Sequence, residues 1–351
     1  MNAEMSVTEE HSDPTVGARQ PAVAGAPTSA RAGHRPGHGL QRALTRYGLL
    51  VAFLIVIAVF GALKPSIFLT VENLKSVITI AAPLVILSVG LTVVLVMGDF
   101  DLSLGAMTGL GGAVAVVLMT EGTYFVFAIV VALLLAIAVG LTNGILVAYL
   151  RGSSFIITLA LTNVLIGVEL LFTDGKSITT GFERGYLNIA QTTPLFGLNT
   201  QVYVAAVLAL IVGLLLGKTE IGRYMYAVGN SPEAARLAGL RTRQLRTIGF
   251  IVVALSATVA GILLTSQAGG STPQQGASYL LPAFAGAFLG SAVFKPGQFN
   301  VAGTVVGVLF LGTVQTGLTI MDFSTAVVNI VQGAILVAAI LLSQFDRRNR
   351  R

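Results

Sequence analysis

The sequence contains no cysteine and no tryptophan, and only 10% of it is charged. Its three histidines, His11, His34 and His38, all precede the first long apolar run. Without cysteine there can be no disulfide, no thiolate metal site and no cysteine nucleophile. The charged share falls far below the roughly 25% of an ordinary soluble domain, while 54% of the chain is hydrophobic and mean hydropathy is +0.85. Composition therefore predicts an all-α polytopic membrane protein. The apolar runs hold no histidine, no HExxH helix and no GxSxG elbow, so hydrolysis inside the membrane lacks its usual bases and ligands. No catalytic residue is expected. No metal site is expected either, because the early histidines have neither an ordered scaffold nor further ligands. Gly175-Lys176-Ser177 imitates the end of a phosphate-binding loop, but the required first glycine would fall at Leu170, and no nucleotide site remains.

Residues 1–46 hold Pro14, Pro21, Pro27 and Pro36 among small polar residues, with no apolar period. That pattern predicts a disordered cytoplasmic tail, and with the first apolar run starting near Tyr47 no cleavable signal peptide is expected. From there apolar runs recur at membrane length. They fall at about 47–63, 75–97, 102–119, 124–148, 154–173, 200–217, 247–267, 278–293, 299–319 and 325–344. The third and eighth are short and glycine-rich. Pro65 ends the first run, and Thr70 is expected to cap a short interfacial helix, TVENLKSV, ahead of the second. About ten spans put both termini on one side. On that topology 17 Lys and Arg lie inside and four outside, Lys64, Lys75, Lys176 and Arg184. This positive-inside bias makes both termini cytoplasmic. It also accounts for the net charge of +6 without nucleic acid. The organisation expected is a tail over 1–46, a transmembrane domain over 47–345 with a cytoplasmic loop at 218–246, and a basic cytoplasmic C-terminus over 346–351. Residues 174–199 form the largest external loop.

The cytoplasmic loop carries a small helix with complete end signals. Ser231 is its N-cap and Pro232 its first residue; Glu233 sits in the first turn, and Gly239 after Ala238 is a left-handed stop. Two turns are marginal in water, so the segment with Ala234, Ala235, Arg236, Leu237 and Ala238 needs a partner surface. A groove on another protein suits it, and so do lipid headgroups or its own bundle.

Polar residues inside apolar sequence are costly and usually face a cavity or another helix. The stretch Gly98-Asp99-Phe100-Asp101-Leu102-Ser103-Leu104-Gly105 divides two runs. It is either a polar pathway or hinge element, or a turn capped by Asp101 or Ser103. Asn143, Thr158, Asn163 and Glu169 are further pathway candidates or interhelical hydrogen-bonding groups. Glu169 is the costliest of them unless it lies near the external end and snorkels. Glycine pairs at small-xxx-small spacing, Gly105/Gly109, Gly286/Gly290 and Gly303/Gly307, predict close helix packing.

Several stretches resemble the permease subunits of ribose/xylose/arabinose-type ABC importers, and also autoinducer-2 import permeases. They are FLTVENLKSV (68–77), GDFDLSLGA (98–106), NGILVAYLRGSSFIITLA (143–160), TDGKSI (173–178), GRYMYAVGNSPEAARLAGL (222–240) and NVAGTVVGVLFLGTVQTGL (300–318). The resemblance departs at Ile166 and over 290–299. It implies a type II ABC importer permease bundle in a bacterial inner membrane, moving a sugar-like solute through alternating access. Its implied partners are a second permease copy or paralogue, an external solute-binding protein and a cytoplasmic ABC ATPase, with ATP and Mg on that ATPase and no cofactor on this chain. Ser231 to Gly239 would be the coupling helix docked in the ATPase. The absence of tryptophan fits a low-affinity conduit fed by a separate receptor. The competing class is an ion-coupled carrier using Asp99, Asp101 or Glu169.

Overall fold

The computed structural model describes residues 38–348 apart from Pro296. Of the tail expected over 1–46, the part up to residue 37, with His11 and His34, lies outside the described residues, as do residues 349–351, while residues 38–46 are not disordered but form the first turns of a helix. In chain order the α-helices begin with α1 (His38–Leu63), α2 (Pro65–Phe68), α3 (Val71–Val96), α4 (Leu104–Thr120) and α5 (Phe125–Gly144). They continue with α6 (Ser154–Thr173), α7 (Arg184–Gln191), α8 (Thr200–Lys218), α9 (Glu220–Asn230) and α10 (Pro232–Leu237). The last four are α11 (Thr242–Ala268), α12 (Leu280–Gly290), α13 (Val301–Ile320) and α14 (Thr325–Arg348). A π-helical turn, Ile145–Tyr149, extends α5, and a 3₁₀ turn, Ala277–Tyr279, leads into α12. Among the described residues there is no strand, only two isolated bridges.

Helices dominate because a bilayer offers a backbone amide no partner outside its own segment. Among the described residues six helices are long and apolar enough to cross a membrane, namely α3, α5 with its π turn, α6, α8, α11 and α13. Four shorter apolar helices, Tyr47–Leu63, α4, Ala277–Gly290 and Thr325–Leu341, occupy the other places where apolar runs were expected. The interfacial helix expected at TVENLKSV is not separate. Thr70 accepts a hydrogen bond from the Asn73 amide at 3.2 Å and starts α3 itself, which then runs unbroken to Val96.

The apolar window of α3 is 83% buried and that of α11 67%, whereas those of α6 and α8 are 17% and 22% buried. The inner helices pack on one another, α11 against α3, α4 and α5, and α13 against α3 and α12. The predicted glycine pairs of α12 and α13 meet each other. A Cβ on Gly303 would stand 2.1 Å from the Gly290 carbonyl oxygen, and one on Gly307 2.3 Å from that of Gly286. Two backbones approach this closely only where side chains are missing. In the 174–199 segment, α7 lies on α11: Tyr186 is fully buried, its hydroxyl reaching Thr265 and the Ile262 carbonyl, and Ser266 Oγ donates to the Tyr186 carbonyl at 2.7 Å.

Candidate functional site

The six residues between Met97 and Leu104 are the most densely cross-linked polar stretch of the bundle. Gly98, at φ +82°, closes α3, and its amide bonds the Leu95 carbonyl. Glycine takes that conformation without a Cβ clash. Burial then alternates along the link, with Asp99, Asp101 and Ser103 buried and Phe100 and Leu102 half-buried. Asp99, Asp101 and Ser103 face into the bundle. Asp99 receives a bidentate pair from Arg246 of α11, Nε to Oδ2 at 2.6 Å and a terminal nitrogen to Oδ1 at 2.5 Å. The Asp99 side chain is 5% exposed and that of Arg246 28%. Asp101 Oδ1 accepts from the Ser103 amide at 2.9 Å and from its hydroxyl at 2.5 Å, while Asn143 of α5 donates to that hydroxyl at 2.9 Å. Burial pushes the Asp101 carboxyl, which sits between the two helices, up to about 6, and the hydrogen bonds of Ser103 and Asn143 partly offset that rise.

The backbone of the same link is tied to α6. The Phe100 amide donates to Ser154 Oγ at 3.2 Å and the Leu102 amide to Thr158 Oγ1 at 3.0 Å, while Thr162 Oγ1 donates to the Leu102 carbonyl at 3.0 Å. These bonds give the Phe100 and Leu102 backbone groups partners on α6, while the Thr158 and Thr162 hydroxyls also bond carbonyls of their own helix. Thr158→Val keeps the shape but strands the Leu102 amide, and should lower stability by about 1–3 kcal/mol. Thermal denaturation of detergent-solubilised protein measures this, with Thr142→Val as control. Thr142 is exposed and bonds only its own helix, so its loss should stay within about 0.5 kcal/mol.

On the other side of the link, Phe100 and Leu102 line a cavity of about 480 Å³ with Phe155, Phe284, Phe288 and Phe299. Phe100 stacks on Phe284 with ring centres 6.1 Å apart, Phe284 on Phe288 at 6.5 Å, and Phe288 meets Phe299 edge-on at 5.2 Å. Gly98 and Ser291 complete part of the wall. The carboxylates of Asp99 and Asp101 are not among its lining residues, so they anchor the link and leave an aromatic face to the cavity.

Gly98, Asp99, Asp101, Ser103, Asn143 and Thr158 are thus brought together. Asn163 is not: it is exposed, and its amide bonds back to the Leu159 carbonyl at 3.4 Å. Gly105 packs instead beneath Gly276, whose carbonyl oxygen would lie 3.1 Å from a Cβ there. Glu169 stands apart from the link, fully buried against Gly109 of α4, where a Cβ would meet its carboxylate at 2.8 Å. Its Oε1 accepts from the Gln274 amide at 3.0 Å, and Oε2 has no partner. Glu169 lies four residues before Thr173, the last residue of α6, yet its side chain is fully buried. Ser154, Thr162, Arg246 and Gln274 are the residues that sequence reasoning missed. In the sequence Arg246 is legible only as one of the 17 inside charges, and the four-residue steps of Ser154, Thr158 and Thr162 are the available signal for one polar helix face.

At the end of the bundle near Arg246 lie α9 and α10. Ser231 Oγ accepts from the Ala234 amide at 3.3 Å, and Pro232 takes the first helical position. The Leu240 amide bonds the Ala235 carbonyl and the Gly239 amide that of Arg236, with Gly239 at φ +82°. These two bonds form a Schellman stop. Ala235 is buried; all other residues of α10 are exposed, Leu237 at 86%. The preceding α9 was not anticipated. It is capped by Thr219 and buries Gly222, Met225 and Val228, and Gly229 rides against the Val96 carbonyl at the end of α3. No group of residues able to hold a metal ion occurs among the described residues.

Over residues 73–340 the chain matches the family described as branched-chain amino acid transport system / permease component. It is similar to the ribose import permease protein RbsC of Escherichia coli (strain K12), with 32% identity over 298 residues, 84% of this chain and 92% of that protein. It is likewise similar to the L-arabinose ABC transporter permease protein AraH of Azospirillum brasilense, 30% identical over 325 residues, 93% of this chain and 95% of that protein. The D-allose transport system permease protein AlsC of Escherichia coli (strain K12) is 29% identical over 300 residues, 85% and 91% of the two chains. No solved structure matches. Since the family match runs from within α3 into α14 and takes in the link and α10, the chain belongs to this family of transport-system permeases and is a multi-pass membrane protein.

Proposed function

We propose that the chain is the membrane-spanning subunit of an ATP-driven ABC importer for a monosaccharide or related small polar solute, switching its path by alternating access. ATP and Mg are held by a cytoplasmic ABC ATPase on a separate chain, and this chain carries no cofactor of its own. An external solute-binding protein delivers the solute, and a second permease, identical or paralogous, completes the dimer in a bacterial inner membrane. Both termini and α10 face the cytoplasm, following the positive-inside bias. The relatives named for ribose, arabinose and allose support the solute class and favour this reading over an ion-coupled carrier.

The observation that carries the proposal is α10. A two-turn helix closed at both ends yet exposed on all but one residue, with Leu237 86% exposed, is stabilised by a partner groove rather than by its own bundle. Residues Ser231 to Gly239 are accordingly the coupling segment. Because Ala234 is exposed, Ala234→Asp leaves insertion intact but places an unpaired carboxylate in the docked interface. Solute-stimulated ATPase activity of the reconstituted complex should fall roughly tenfold or more, the equivalent of about 1.4 kcal/mol. Full stimulation in the variant would remove α10 from the mechanism.

A further inference from the structure

We propose that Asp99 and Arg246 are a positioning pair that carries displacement of the docking helix to the aromatic wall of the cavity. The inference rests on the importer reading and adds the route by which motion reaches the path. Three observations place the pair on that route. Arg246 lies in the second turn of α11, which follows α10 after four residues, Ala238 to Arg241. The fork-on-carboxylate geometry, with both Asp99 oxygens engaged, fixes orientation as well as distance. The residue after Asp99 is Phe100, whose ring stacks on Phe284 and lines the cavity.

Because Phe100 follows Asp99 directly along the backbone, rotation or translation of Asp99 with Arg246 moves the Phe100 side chain, which lines the cavity. The rest of the link is held by α5 and α6 through Asn143, Ser154, Thr158 and Thr162. The segment thus has one end tied to the driven helix and the other to a different pair of helices, so relative motion between them falls on Phe100. Packing of α9 on the end of α3 moves the same region as a block, whereas the ion pair ties the link directly to α11.

The absence of cysteine makes a clean test possible, since Ser291→Cys places a single thiol in the cavity wall. In the complex with its ATPase, reconstituted in liposomes, the rate of labelling by a small charged methanethiosulfonate is measured with and without ATP. The single-cysteine protein should show an ATP-dependent change in rate of about fivefold or more, the lower end of ordinary coupling between sites. Adding Asp99→Asn should abolish that dependence while ATP hydrolysis continues, and the exchanged pair Asp99→Arg with Arg246→Asp should restore part of it. If Asp99→Asn fails to accumulate, Arg246→Lys, which keeps the charge and loses the fork, takes its place with the same expected loss. Retention of the ATP-dependent rate in the substituted protein overturns the proposal. If the single-cysteine protein shows no ATP dependence and retains no ATPase, the importer reading itself is overturned, a result distinguishable from the first.

Discussion

Arg246→Ala should destabilise the protein by about 3 kcal/mol, near the lower end of the cost of stranding one member of a buried ion pair. The low end applies because Arg246 is itself 28% exposed; the full effect comes from Asp99, whose side chain is 5% exposed and has no other cation within an ion-pair distance among the described residues. The measurement is thermal unfolding of the detergent-solubilised chain, with denaturant unfolding as a check on the free energy. Replacing both partners by neutral isosteres, Asp99→Asn with Arg246→Gln, should recover most of the loss, since no uncompensated charge remains. That double variant is also the one that separates the two roles of the pair: it should be nearly as stable as the parent and still fail to transmit ATP-driven motion to the cavity. A melting temperature for Arg246→Ala equal to that of the parent would mean that water reaches Asp99, and the pair would then be worth only the fraction of a kcal/mol of a surface bridge.

Gly303→Leu should have a comparable or larger effect, at or above the upper end of the about 1–3 kcal/mol typical of overpacking. The first added atom would stand 2.1 Å from the Gly290 carbonyl oxygen and 2.9 Å from its carbon. These are backbone atoms of α12 and cannot swing aside as a flexible side chain does. Separation of α12 from α13 would also dislodge Phe284 and Phe288, which α12 holds in the cavity wall. The variant should melt lower and elute as a broadened or aggregated species in detergent size exclusion. Gly333→Ala in α14 is the matched control: nothing lies within 4 Å of its added methyl, and the exchange should be neutral or stabilising by up to about 1 kcal/mol through helix propensity. Equal melting of the two variants would remove the glycine contact as the determinant of this crossing.

The sequence was most legible where structure depends on neighbours a few residues away. Every end signal of α10 is local, from Ser231 and Pro232 to Gly239, and each is found in the bonds of the helix. The glycine pairs were legible as packing surfaces, although their spacing did not say that the pair in α12 meets the pair in α13. Helix α9 was missed because its charged and polar residues dominate the composition of 218–246. Its buried Gly222, Met225 and Val228 recur every three residues, a helical period that was there to be read. The interfacial helix expected before α3 was an error of the opposite kind, in which a sound N-cap at Thr70 was given a stop that no residue supplies.

The chain's own composition and local patterning determined that it is an all-helical membrane protein, where its apolar helices lie, and that a small capped helix interrupts them. Hydrophobicity, turn residues and caps act over a few residues, so they survive in a one-dimensional reading. Only the tertiary structure decided that Asp99 and Asp101 turn away from the cavity and Phe100 and Leu102 toward it. The partners that set this orientation, Ser154, Thr158 and Arg246, lie 54, 56 and 147 residues away along the chain from the groups they bind. Which side of the link is buried depends on those distant groups, because a desolvated carboxylate is stable only where the fold supplies its donors.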